Sequence, residues 1–170
     1  MNVLRPLLLV LCVGLCIRPA SSADDKPVQL TDAARKIHQE ALLIDGHNDL
    51  PWQFRLKADL SFRKIDIARP QKGLHTDIPR LRQGGVGAQF WSAYVPVGSR
   101  KAGTAVKETL EQIDVIQRFV RAYPDDFEMA YGVEDILRFR KNGKIAWLIG
   151  VEGGHSIDNS LGVLRTYYQL

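Results

Sequence analysis

The chain has 170 residues, 45% hydrophobic and 25% charged, with a mean hydropathy of −0.14, which excludes both an intrinsically disordered polymer and a protein built of membrane spans. Fourteen Gly and eight Pro lie near average usage, so collagenous and low-complexity classes fall away too. The formal net charge is +4 with no basic stripe, and nucleic acid is not an expected partner.

Met1–Ala23 reads as a secretory signal peptide. Arg5 gives a positive start, Leu7 to Ile17 is an apolar run, and Ala20-Ser21-Ser22-Ala23 offers small residues for cleavage. The apolar run is shorter than the roughly 20 residues of a membrane span, and Arg18 closes it. The expectation is therefore an exported protein, periplasmic, secreted or at the cell surface, with residues 24–170 as the mature part. Cys12 and Cys16 both fall in the removed segment, leaving no disulfide and no cysteine metal site in the mature chain. Without Arg5 and Arg18, 21 basic residues face 19 acidic ones, a net charge of +2. Any bound metal must then rest on His, Asp and Glu.

Along the mature chain, residues 24–29 form a flexible lead-in, and Thr31 can cap a helix to about Ala41 with Ile37 and Ala41 facing inward. Leu42–Asp45 reads as a short buried strand, ended by Gly46-His47-Asn48-Asp49 and Pro51. The polar stretch Leu56–His75 is expected to be a long irregular loop, followed by a short turn, Ile78–Arg82, capped by Thr76 or Asp77. Val86–Val95, rich in aromatic and β-branched residues, reads as a second strand. A helix over Thr104–Tyr123 follows, with Val106, Leu110, Ile113, Ile116 or Gln117, and Val120 on its inner stripe and Pro124 as its stop. Val133–Lys141 is a shorter helix with Gly143 after its C-cap. Lys144–Val151 is apolar on consecutive residues, as in strands buried on both faces of a parallel sheet. Leu161–Leu170 begins a last helix. Strand and helix alternate throughout, which argues an α/β fold with parallel strands.

Three residues stand out for chemistry. His47 and Asp49 are two apart, and in extended backbone such side chains face the same way, so an imidazole and a carboxylate would meet at a strand's C-terminal end. A polar turn with Asp49 bonded to backbone would use the same residues. Glu152 directly follows the apolar run KIAWLIGV and precedes two glycines. A charged group there calls for a partner. Parallel α/β folds gather their strand C-termini on one face, where His47, Asp49 and Glu152 could meet. His155 could donate to the site, with a helix-start or supporting role the stronger reading, and His38 and His75 read as surface or structural. Trp52, Phe90, Trp91 and Tyr94 are core residues by default, or an apolar wall beside the site. No Gly-rich phosphate loop, G-x-S-x-G or Cys nucleophile is present in residues 24–170.

Three segments, IDGHNDLPW (Ile44–Trp52), GGVGAQFWSAYVP (Gly84–Pro96) and LIGVEGGHSIDNSLGVL (Leu148–Leu164), together resemble the membrane dipeptidases of metallopeptidase family M19. The resemblance runs in order from about Leu43 to Leu170. It implies a (β/α)8 TIM-barrel-like metal-dependent hydrolase fold, here incomplete, with about its first three barrel strands. It also implies two Zn²⁺ ions in the complete site, with His47 and Asp49 binding one of them and Glu152, the catalytic carboxylate, bridging both. The implied reaction is hydrolysis of dipeptides by a hydroxide activated between the two ions. A homodimer is implied for the complete enzyme, and membrane anchoring only through a C-terminal part not in this sequence.

Two features depart from the family. Val97 stands where vertebrate members have a Cys, which favours a bacterial-type member. The family's remaining zinc-binding histidines, its substrate-carboxylate Arg and a further His and Asp come from later strands that this sequence lacks. Residues 24–170 number 147, against about 250 for a usual barrel. The expectation is an N-terminal fragment, inactive alone, of a zinc dipeptidase. The alternative is a non-catalytic secreted relative acting as a binding module. A different amidohydrolase is disfavoured, since those place H-x-H rather than H-x-D on the first strand.

Overall fold

The computed structural model describes residues 28–170. The proposed signal peptide, Met1–Ala23, and its cysteines lie outside the described residues.

Helix α1 (Asp32–Glu40) has no buried residue, which corrects the expected inward face: Ile37 is 68% exposed and Ala41 is exposed as well. Among the described residues, no neighbouring element covers its apolar positions. Its C-terminal carbonyls are tied down instead, Gln39 and Glu40 both accepting from the Arg140 guanidinium.

Strand β1 (Leu43–Asn48) is longer than the sequence suggests and runs through His47. Helix α2 (Leu50–Ala58) begins two residues later, in a stretch assigned by sequence to turn and loop. Pro51 in its first turn suits a helix start, where a missing N–H costs nothing. Leu50, Phe54 and Ala58, spaced by four, form its buried stripe.

The irregular segment 59–77 is firmly held. Ile65, Ile67 and Leu74 are buried, and the Tyr123 hydroxyl accepts from the Ile67 amide while donating to Asp66. Burial pushes the Tyr123 phenol up to about 12. The fully buried Asp77 accepts from the amides of Gln71 and Arg80, capping helix α3 (Ile78–Gln83) as expected.

Strand β2 (Val86–Tyr94) leads through the short α4 (Val97–Lys101) to α5 (Ala105–Ala122). Ile113 and Ile116 of α5 are buried as expected, but the buried face also takes in Ala105, Thr109, Gln112, Val115 and Phe119, while Leu110 is 39% exposed. Polar Gln112 lies inside with its amide oxygen accepting from Arg55 of α2, while its amide nitrogen is buried without a partner among the described residues.

Strand β3 (Phe127–Met129) was not foreseen; three residues carry no readable period, and pairing with the last strand defines it. Helix α6 (Val133–Lys141) and its following Gly143, at φ +71°, match expectation. Strand β4 (Ile145–Glu152) includes Glu152 as its last residue. Only its first half is buried on both faces, and Val151 is 37% exposed; β3 pairs with Ile145–Trp147 alone, which leaves the upper part of β4 as an edge among the described residues. A 3-10 turn (Gly154–Ile157) and α7 (Leu161–Tyr167), capped by Ser160, complete the chain.

The four strands form one parallel sheet in the order β1-β2-β4-β3. The path from β2 to β3 passes beyond the place of β4, and the path back to β4 runs the opposite way. Right-handed crossovers in opposite directions set their helices on opposite faces. Thus α5 packs Ile113, Ile116 and Phe119 with Trp91 and Trp147 on one face. On the other, α6 packs Ile136 and Phe139 against the small side chains of Ala88 and Ala146. The main core is aromatic. Trp91 and Trp147 stack at 4.0 Å, Phe119 and Phe127 lie 5.3 and 4.1 Å from Trp147, and the Trp147 indole donates to the Ile116 carbonyl.

Candidate metal centre

Three carboxylate and imidazole side chains converge at the C-terminal end of this sheet. His47 Nε2 lies 3.5 Å from Asp49 Oδ1 and 3.3 Å from Glu152 Oε2. One ligand atom from each of the three residues lies within 4.8 Å of the others. The side chains are 54%, 53% and 41% exposed, so the cluster opens to solvent.

The way His47 and Asp49 meet differs from the expected pleat. The β1–β2 register shifts between Asp45 and Asn48, a bulge that re-aims the end of β1. Asp49 has left extended backbone altogether, at φ −90° and ψ 17°, as the residue before α2. The two side chains therefore meet across a strand-to-helix turn. Side chains brace that turn: the His47 amide donates to Asp45 Oδ1, the Leu50 amide to Asn48 Oδ1, and the Asn48 amide group to Thr76. Buried Gln89 of β2 donates to the Asp45 carbonyl and ties the base of the turn to the next strand.

On the opposite side, register fixes Glu152. Strand β4 pairs with β2 so that Glu152 lies beside Tyr94, and Gly150 beside Ser92. The buried Ser92 hydroxyl donates to Glu152 Oε2 at 2.7 Å. Sequence reading passed over Ser92, although alternation in β2 sets it on the same face as Phe90 and Tyr94, which offered a signal.

His155 stays outside the cluster. Its ring lies in the 3-10 turn, with Nε2 2.7 Å from the Val95 carbonyl oxygen. Gly153, at φ +86°, lets the chain turn over that ring. His75 lines a cavity of about 260 Å³ with Asp49, Gln53 and Thr76, next to the cluster but not in it. Trp52 and Tyr94 form an edge-to-face pair at 5.1 Å, both half-buried. Trp91, by contrast, belongs wholly to the core.

The donor set fits a small divalent cation. Tetrahedral zinc with bonds of about 2.0–2.1 Å sets neighbouring donor atoms roughly 3.3–3.4 Å apart, close to the two separations seen here. One imidazole and two carboxylates suit zinc and similar ions, and no cysteine is needed.

Residues 31–170 match the family described as membrane dipeptidase, peptidase family M19. The chain is 42% identical over 142 residues to dipeptidase 3 of Mus musculus, covering 84% of this chain and 28% of that one. It is 44% identical over 135 residues to dipeptidase ataJ of Aspergillus terreus, covering 75% of this chain and 33% of the relative. The chain thus spans about a third or less of the length of these curated relatives. The fold resembles the probable dipeptidase PvdM of Pseudomonas aeruginosa, with a TM-score of 0.63 and 17% identity over 79% of this chain and 34% of that one. It also resembles a metallopeptidase of Rhodobacter sphaeroides liganded with a phosphinate mimic of the dipeptide L-Ala-D-Ala. That likeness has a TM-score of 0.61 and 19% identity, over 75% of this chain and 42% of the other. With the match spanning 140 residues and the parallel sheet in place, the chain belongs to the membrane dipeptidase family, M19, and has that family's TIM-barrel-like α/β fold.

Proposed function

We propose that residues 24–170 are the N-terminal part of an exported zinc dipeptidase and supply the first portion of its two-cation centre. In this reading His47 and Asp49 bind one Zn²⁺ and Glu152 bridges it to a second. When bound, such a pair lowers the pKa of a water molecule and polarises the scissile carbonyl of a dipeptide. The observation that carries the reading is the convergence of three donor atoms within 4.8 Å of one another, two of the separations near the tetrahedral value, at the sheet's C-terminal end within the family match.

The chain's own residues do the positioning. The bulge in β1 and the turn before α2 bring Asp49 to His47, and the β2–β4 register brings Glu152 to both. The Trp52–Tyr94 pair stands at the end of the same strands, where it can shield a substrate from water. Three donors cannot complete two tetrahedral shells, so the proposal calls for further ligands from outside these residues. Export through Met1–Ala23 and a homodimer of the complete enzyme belong to the same proposal.

Calorimetric titration of the 170-residue chain with Zn²⁺ tests the centre. Saturable binding is expected, weakened roughly tenfold or more in Glu152→Ala and His47→Ala. Equal affinity in wild type and both variants would overturn the reading.

A further inference from the structure

The hydroxyl of Ser92 is committed to one oxygen of one carboxylate, and we propose that Ser92 is a positioning residue for Glu152 in the cation centre. This role rests on the metal-centre reading above and names a part of it that lies outside the three donors.

Ser92 is 2% exposed, near the C-terminal end of the sheet's second strand. Its neighbours along β2, Trp91 and Ala93, are fully buried and face the aromatic core, which sets Ser92 on the opposite face with Phe90 and Tyr94. Its hydroxyl donates to Glu152 Oε2 at 2.7 Å, and that same oxygen lies 3.3 Å from His47 Nε2. That oxygen is therefore held by a buried hydroxyl while it faces the imidazole. The other, Oε1, has no hydrogen-bond or ion-pair partner among the described residues. A carboxylate shared between two cations would use such a division, with one oxygen held and the other left open.

The need for a clamp follows from the chain. Glu152 ends its strand, its side chain has three rotatable bonds, and two glycines follow it. Left alone, a carboxylate 41% exposed would sample several rotamers in water. The serine sits on a strand hydrogen-bonded along seven consecutive register pairs to β4, so its oxygen is a fixed point relative to the Glu152 backbone. A hydrogen bond to an ionised acceptor is among the stronger kinds and holds the carboxylate in one orientation before any cation arrives. The short Ser side chain also leaves room in the space lined by His47, Phe90, Gly150 and Glu152.

The test follows Co²⁺ binding by its visible absorbance in the full 170-residue chain, comparing wild type, Ser92→Ala, Glu152→Ala and the double variant. Ser92→Ala is expected to raise the Kd for Co²⁺ about tenfold, with a thermal midpoint within about 3 °C of wild type. In the Glu152→Ala background the same change should alter the Kd less than about twofold, because the hydroxyl acts through that carboxylate. Unchanged affinity in Ser92→Ala overturns the proposal. So does a tenfold loss that persists without Glu152, which would make Ser92 a structural residue of the sheet. Equal affinity in wild type and Glu152→Ala would remove the centre itself, and the Ser92 role with it.

Discussion

The buried carboxylate of Asp77 lies 2.6 Å from the guanidinium of Arg80, three residues further along α3. That guanidinium also donates to the carbonyls of Gln71 and Leu74. The hydrogen bond from Arg80, with those from the two backbone amides, holds the Asp77 carboxyl down to about 2 from its ordinary 3.8. This one carboxylate closes the long segment between α2 and α3.

A folded-state pKa below the unfolded one stabilises above the unfolded value. The Asp77 contribution, about 2 kcal/mol, is thus complete above pH 3.8 and is lost as the pH falls toward about 2. Asp77→Asn should lower stability by that amount near neutral pH and flatten the acid limb of the stability curve. Urea melts of both proteins from pH 6 to 2 check this, at roughly half-unit steps. Parallel acid limbs would refute the assignment.

Gly153 is fixed by two independent constraints. Its φ is +86°, and a Cβ there would come within 2.5 Å of the His155 ring. Gly153→Ala should therefore destabilise the chain by about 2 kcal/mol or more, the left-handed backbone alone accounting for about 1–2. Combining it with His155→Ala removes the steric part and should recover some of the loss. If the single substitution is neutral in chemical denaturation, the turn is not constrained in this way.

Trp147 is central to the aromatic core, and its indole N–H is committed to the Ile116 carbonyl. Trp147→Ala should cost roughly 3–5 kcal/mol, and Trp147→Phe about 1–2 for the lost contacts and hydrogen bond. Equilibrium denaturation separates the two. Equal losses would show that ring packing contributes little.

The purified 170-residue chain should turn over dipeptides at background rate even with zinc present, because three donors make only part of a two-cation shell. Release of amino acids from L-Ala-D-Ala is the measurement, and rapid metal-dependent turnover would show the centre to be complete.

For export, the chain expressed with its N-terminus intact in a secreting host should appear outside the cytoplasm beginning at Asp24. N-terminal sequencing reads the boundary, and retention of Met1 on an exported product would contradict cleavage.

Much of the fold is legible in the residues. Aromatic and β-branched residues marked β2, consecutive apolar positions marked β4, the 3.6 period marked α5, and Gly143 marked the end of α6. Helix α2 was lost because Asn48-Asp49-Leu50-Pro51 reads equally as a turn, and Pro51 serves either purpose. Strand β3 exists through its pairing with Ile145, Ala146 and Trp147, a long-range relation that three residues cannot announce. At the candidate site, His47, Asp49 and Glu152 were found from their places at strand ends, and the structure brings them together. The route was less visible: a register shift and a departure from extended backbone are properties of two strands together. Ser92 was missed because a lone Ser in an aromatic strand reads as filler until its neighbour across the sheet is known.

Strand β4 is last of the four in sequence yet lies between β2 and β3. On an emerging polypeptide the earlier strands therefore wait for it, with an empty lane between them. Residues 145–152 close that lane, and Glu152 arrives on the same strand. Assembly of the sheet and delivery of the last acidic group to His47 are one event, so a chain that has not finished its sheet cannot capture an ion with all three donors.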